Sequence, residues 1–119
     1  MEKELLDYVA ERADILTVSA ASKKETQEAA AAWKDAVAAG EDASAATEKL
    51  LDFLEGRMLG IDDLIAFLEG PGKELFGEQM AANMLVAQTQ RKEQGGKYCN
   101  CEAHTAAGEL LAKFGRIEL

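Results

Sequence analysis

Residues 100–114 read NCEAHTAAGELLAKF, and this stretch decides how the chain folds. Its apolar side chains recur three and four positions apart, at Ala103, Ala107, Leu110, Leu111 and Phe114. That spacing is typical of one face of an α-helix. It predicts a last helix over about 101–114, with Asn100 as its N-cap. The same stretch carries a cysteine and a histidine, so this helix also positions candidate ligands.

The helical period recurs through the rest of the chain. It predicts helices over about 2–18, from Ser22 to about 39, from Asp42 or Ser44 to about 57, and over 61–68 and 78–94, with a short turn at Leu75 and Phe76. Alanine, the best helix former, dominates the apolar residues, and there is one proline. We therefore predict an all-α protein, a single-domain bundle of five to six helices over residues 1–119.

Two helix starts have polar signals. Ser22 and Glu25 match a capping box, in which the serine caps a backbone N–H and the glutamate reaches back. Asp62 is a good N-cap for the fourth helix, which explains the Asp62–Asp63 pair better than catalysis does. Trp33 stands among alanines, where a tryptophan usually fills a core.

The chain is acidic, with a formal net charge of -9. An acidic body repels phosphate groups, so the charge argues against binding to nucleic acid or to an anionic membrane. The surface would suit a basic protein partner or self-association. A solvated surface that keeps a small domain soluble is the simpler explanation of the charge.

The distribution of apolar residues and cysteines bears on the compartment. Met1-Glu2-Lys3-Glu4 leads into an amphipathic helix rather than a signal peptide, and no long uncharged apolar run predicts a membrane span. Two cysteines one residue apart do not form a secreted disulfide framework. We therefore expect a soluble cytoplasmic protein.

Both cysteines and the only histidine lie within six residues, as Cys99, Cys101 and His104. Cys101 and His104 would share one face of the last helix, and Cys99 would approach from extended chain just before it. Two sulfurs and one imidazole predict a metal site, with zinc as the natural ion. A fourth ligand would come from a carboxylate, from solvent or from a second chain.

Two other interpretations stay open. Cys99 and Cys101 could form a strained, reducible disulfide, which would make the protein a thiol-redox protein. Alternatively, the three residues have no chemical role, and the protein is a metal-free interaction module that uses its acidic helical surface.

The sequence lacks the residues that several classes of enzyme and cofactor site require. Gly72-Lys73 fails as a phosphate loop because Phe67 replaces the first glycine and Glu74 follows the lysine. An iron–sulfur cluster normally needs four thiolates, and a di-iron bundle needs two Glu-x-x-His motifs. The pattern thus leans away from an enzyme and indicates no nucleotide.

Three segments also carry a resemblance: Ile61-Asp62-Asp63-Leu64-Ile65-Ala66-Phe67, Phe76-Gly77 and Lys97-Tyr98-Cys99-Asn100-Cys101. They resemble a group of small, uncharacterised, all-helical bacterial proteins whose C-terminal motif tends to read Tyr-Cys-x-Cys-x-x-Cys. His104 stands at the third position here, and histidine is itself a zinc ligand. Some members are labelled as chaperones of the ninety-kilodalton heat-shock type. The ATPase domain of that chaperone family is larger than this chain.

Overall fold

The computed structural model describes all residues, Met1–Leu119, and contains seven helices and no strands. They are α1 (Lys3–Val18), α2 (Lys24–Ala38), α3 (Ala43–Glu55), α4 (Ile61–Glu69), α5 (Pro71–Phe76), α6 (Glu78–Glu93) and α7 (Glu102–Lys113). The all-α class is confirmed. The predicted count of five to six helices is wrong.

The additional helix is α5, in the place of the predicted turn at Leu75 and Phe76. The Gly70-Pro71 pair ends α4 as expected, but Pro71 also occupies the first turn of a new helix. Proline is favoured there because its fixed φ suits a helix and its missing N–H would have no intrahelical partner. The same residue thus stops one helix and starts another.

The chain forms two compact units. The first unit comprises Met1–Met58 and Asn100–Glu118, and the second comprises Leu59–Cys99 together with Leu119. A single domain over residues 1–119 stays a prediction.

In the first unit four helices pack in a closed ring, α1 on α2, α2 on α3, α3 on α7 and α7 on α1. Each contributes an apolar face to one core, which includes the fully buried side chains of Leu16, Leu51, Leu54, Leu110 and Leu111. Trp33 is 4% exposed and its indole Nε1 donates to Thr47 Oγ1 at 2.9 Å. Its core position agrees with the interpretation of the sequence.

The helix starts differ from the sequence expectations at three places. Lys23, not Ser22, is the N-cap of α2, and no side chain caps it. Gly60, not Asp62, precedes α4, and Cys101, not Asn100, caps α7. Each cap is misplaced by one or two residues, the usual uncertainty of a boundary read from sequence. Of the two predicted starts of the third helix, Asp42 is the N-cap of α3, and its side chain accepts a hydrogen bond from Ser44 N at 2.9 Å.

In the second unit α4, α5 and α6 pack on one another, with Ile61, Leu64, Leu68 and Ala81 buried. Gly72 is buried where α5 meets α4, and a Cβ there would lie 2.9 Å from the Phe67 carbonyl oxygen. Only glycine therefore permits this close approach.

The second unit also holds the extended segment that follows α6. Gly60 and Tyr98 form an isolated antiparallel bridge. Ile61 N donates to Lys97 O at 2.9 Å, and Cys99 N donates to Leu59 O at 2.8 Å.

No helix has the length and apolar content that a bilayer crossing requires.

Candidate metal centre

Hydrogen bonds fix the backbone on which Cys99 lies. Besides the bridge to residues 59–61, the Arg91 guanidinium donates to the Tyr98 carbonyl oxygen at 2.9 Å and to Gln88 Oε1 at 2.6 Å. Arg91 lies in the last turn of α6, just before the Gly95-Gly96 turn. The residue before Cys99 is thus held by a charge-assisted hydrogen bond, which is stronger than a neutral one.

Cys101 occupies the N-cap of α7. Its Sγ accepts a hydrogen bond from His104 N at 3.3 Å, in the position where serine or aspartate oxygen usually serves. The N-terminus of a helix carries a partial positive charge, which favours an anionic group. Because thiolate is the sulfur form that binds metal, this position prepares Cys101 as a ligand.

His104 lies in the first turn of α7, and both of its ring nitrogens have partners. Nε2 is 3.0 Å from the Arg57 carbonyl oxygen, and Nδ1 is 3.1 Å from Cys101 Sγ. A carbonyl oxygen only accepts, so Nε2 carries a proton and donates it. In the neutral imidazole the Nδ1 lone pair therefore points toward the sulfur. A histidine that binds metal is commonly oriented by this type of hydrogen bond from its other nitrogen.

The surroundings of His104 favour its charged form in the metal-free protein. The hydrogen bond to Cys101 raises the pKa of His104 above its usual 6.5, and the charge on Cys101 and the bond to the Arg57 carbonyl act in the same direction. Partial burial and the Lys23 ammonium lower it, but they do not outweigh these effects. An ion at Nδ1 would have to displace this proton, so metal binding would weaken as pH falls.

The structure brings the three predicted ligand residues together. The Sγ atoms of Cys99 and Cys101 and a ring nitrogen of His104 lie within 4.8 Å of one another, and all three residues are half-buried. Neither cysteine is in a disulfide. No further histidine, cysteine, aspartate or glutamate joins this group. Their assignment as metal ligands stays a prediction.

The spacing of the group can be compared with that of a metal centre. With ordinary zinc bond lengths, a tetrahedral site separates two sulfurs by about 3.8 Å and a sulfur from a nitrogen by about 3.6 Å. The contact of 3.1 Å between Cys101 Sγ and Nδ1 is shorter, as expected for two atoms that share a proton. To hold an ion, these two atoms would have to separate by about half an ångström, and Cys99 Sγ, which lies within 4.8 Å of the others, would have to approach by up to about one ångström.

Sequence reasoning missed two groups at this site. The Arg57 carbonyl and Lys23 lie 47 and 81 positions before His104, and neither has a sequence signal because their roles depend on helix packing. Asp62 is not part of this site. Its carboxylate forms an ion pair with Lys92, in which Oδ1 lies 2.6 Å from Nζ.

Comparison with known proteins gives no match among family models, curated proteins or solved structures. The resemblance to small bacterial proteins with a Tyr-Cys-x-Cys motif therefore stays a prediction.

Proposed function

We propose that the chain is a small metal-binding protein that holds zinc through Cys99, Cys101 and His104. One observation carries the proposal: three soft or borderline ligand atoms lie within 4.8 Å, and His104 is oriented by its Nε2–H bond to Arg57. In this arrangement Nδ1 faces the sulfur of Cys101. We also propose that the protein is cytoplasmic, because thiols stay reduced in that compartment.

The ligand set selects the class of ion. Thiolate and imidazole suit zinc and other soft or borderline metals, whereas magnesium and calcium prefer oxygen. Two thiolates and one neutral imidazole would balance the charge of a divalent ion. The His104 Nε2–H would keep its bond to the Arg57 carbonyl, and the α7 N-terminus would favour the thiolate of Cys101.

The number of ligands bears on the role. A closed structural zinc site has four protein ligands, and this group offers three. Solvent or a group from another molecule would complete the coordination. Such an open site is suited to sensing or delivering the ion, and we propose this role ahead of a purely structural one.

Metal titration tests the proposal. Protein purified without chelator and reconstituted with zinc should hold about one equivalent, and Co²⁺ should give thiolate-to-cobalt absorption together with tetrahedral d–d bands. Cys99→Ser/Cys101→Ser should lose both signals, and His104→Gln should weaken binding. Thr105→Ala is the matched control, because Thr105 is exposed on the same turn of α7 and offers no ligand. Less than about 0.1 equivalent in the wild type would contradict the proposal.

The same titration locates the fourth ligand. If solvent supplies it, the protein should keep its mass in solution when zinc is added. If a second chain supplies it, the mass should double with half an equivalent or one equivalent of ion, and the double cysteine variant should stay monomeric.

A thiol-redox function is the second candidate, and the contact between Cys101 Sγ and His104 Nδ1 favours it. The imidazole could take the thiol proton, and the resulting thiolate could attack an external disulfide such as oxidised glutathione. That attack would release one reduced thiol and leave a mixed disulfide on Cys101. The Cys99 thiolate would then attack Cys101 Sγ, forming the Cys99–Cys101 disulfide and releasing the second reduced thiol. A measured dithiol potential near the cytosolic glutathione poise would support this candidate.

A further inference from the structure

A groove lies on the outer side of the first unit, between α2 and α3. It has a volume of about 790 Å³. Its base is apolar and is formed by the half-buried Phe53 beside the nearly fully buried Trp33 and Leu50. This groove is distinct from the candidate metal centre, since its lining residues all lie between positions 29 and 53 and include none of Cys99, Cys101 and His104.

The walls of the groove are methyl groups. Ala29, Ala32, Ala36 and Ala39 follow one another at intervals of three and four positions, so they lie along one side of α2. Ala32 and Ala39 are exposed, and Ala45 and Ala46 line the opposite side on α3. Small side chains let the backbone of another helix approach closely, because interhelical distance depends on the residues at the contact.

The rim of the groove is acidic. Asp35, Glu41 and Asp42 lie at its edge with one cation, Lys49. Neither Asp35 nor Glu41 forms an ion pair within the protein, whereas several other acidic side chains of the first unit do. The first unit as a whole has 16 acidic and 9 basic side chains, a net charge of -7. A partner therefore meets unpaired carboxylates beside apolar surface.

We propose that this groove binds an amphipathic helix of a partner protein, with apolar side chains along its base and Lys or Arg on both flanks. In helix-in-groove recognition, apolar side chains three and four positions apart on the bound helix pack into the groove. The acidic rim favours basic residues on the flanks of that helix. A second copy of this chain fits poorly, because its own groove would bring the same carboxylates against this rim. A small-molecule site would need polar groups converging inside the pocket, and here they lie at the edge.

Two synthetic peptides test the proposal with the full chain. One is an 18-residue amphipathic helix with Leu at heptad a and d positions and Lys or Arg beside them. The other has Glu in place of each Lys and Arg. The basic peptide should bind at least about tenfold more tightly, and its binding should weaken at high salt. Amide shifts in ¹H–¹⁵N spectra should cluster in α2 and α3.

Charge variants separate the rim from the overall charge. Asp35→Lys/Glu41→Lys should weaken binding of the basic peptide about tenfold, since two attractions become repulsions. Glu2→Lys/Asp7→Lys changes the net charge equally at exposed positions of the N-terminal region and should leave affinity within about twofold. Equal weakening in both variants would overturn the proposal, because it would indicate binding by net charge alone.

Shape variants test the groove itself. Ala32→Gln places a larger side chain on the groove wall, and Ala38→Gln makes the same change at an exposed position of α2 outside it. Only Ala32→Gln should reduce affinity, with both variants keeping the wild-type circular dichroism. Failure of the basic peptide to bind, shifts outside α2 and α3, or dimerisation of the protein through this face would each overturn the proposal.

Discussion

The two units differ in how completely they bury their apolar residues. In the first unit four helices share one core, and large side chains such as Leu16, Leu54 and Leu111 are fully buried. In the second unit only Leu68 reaches that state among the large side chains, while Leu75, Met80 and Val86 are more than half exposed. The second unit is also close to the roughly 40 residues below which a domain usually needs additional stabilisation.

This difference teaches that similar helical periods of apolar residues can produce cores that differ in how fully they bury their side chains. The helices of both units are regular, but stability comes mainly from tertiary burial rather than from helix propensity. The second unit depends more on close backbone contacts, such as Gly72 against Phe67, and on the hydrogen bonds of residues 97–99. We therefore expect core truncations to cost most in the first unit and backbone changes to cost most in the second.

The largest expected effect is that of Leu111→Ala. Leu111 is 0% exposed in the core of the first unit, so its truncation should lower the free energy of unfolding by about 2–5 kcal/mol. Leu75→Ala is the matched control in the second unit, where the side chain is 69% exposed, and should cost less than about 0.5 kcal/mol. Urea unfolding followed by circular dichroism measures both. Similar losses would contradict the burial of Leu111 in the first unit and the exposure of Leu75 in the second.

A smaller effect is expected for Gly72→Ala in the second unit. The new Cβ would lie 2.9 Å from the Phe67 carbonyl oxygen and 3.2 Å from its ring, so α5 would have to move away from α4. We expect a loss of about 1–3 kcal/mol, the usual cost of overpacking. Hydrogen exchange should show faster opening of α4 and α5 than in the wild type.

Gly56→Ala is the control for this backbone change. Gly56 has a negative φ, and its added Cβ would meet only the Phe53 carbonyl oxygen at an ordinary 3.7 Å. The substitution should be close to neutral, because alanine also reduces the freedom of the unfolded chain. If both alanines cost the same, the close approach at Gly72 does not constrain the second unit.

The sequence predicted the helical class and most helix bounds, because the apolar period is local information. It did not predict α5, since Gly70-Pro71 signals both the end of one helix and the start of the next. It also did not predict which helices pack together, and therefore not that an apolar side chain of α6, Met80, is 56% exposed. Packing depends on contacts distant in sequence, which a period cannot express.

The candidate site was predictable to a similar extent. The clustering of Cys99, Cys101 and His104 follows from their closeness in sequence and from the start of α7. The assignment of Cys101 as the N-cap did not follow, because asparagine is the stronger capping residue and stands directly before it. The orientation of His104 was also out of reach, since it depends on a carbonyl of residue 57.

The smallest expected effect concerns the charge of His104. Every group that shifts the pKa of His104 belongs to the first unit: Cys101, Arg57 and Lys23. The prediction therefore sharpens the comparison of the two units. In metal-free protein the imidazole should titrate above 6.5, with Cys101 as the main cause. Cys101→Ser should therefore lower the pKa of His104, and Cys99→Ser should leave it nearly unchanged. NMR of the single histidine, in the presence of chelator, measures this directly.

The sign of the stability effect follows from the raised pKa. A proton bound more tightly in the folded state stabilises it fully below the unfolded pKa, and this stabilisation is lost as pH rises through the folded pKa. Above pH 6.5, the His104 contribution to the free energy of unfolding should decline in the metal-free wild type and in Cys99→Ser, and decline less in Cys101→Ser. Equal pKa changes in the two serine variants would mean that Cys99 also holds the imidazole proton. In that case the charge of His104 would no longer be a property of the first unit alone.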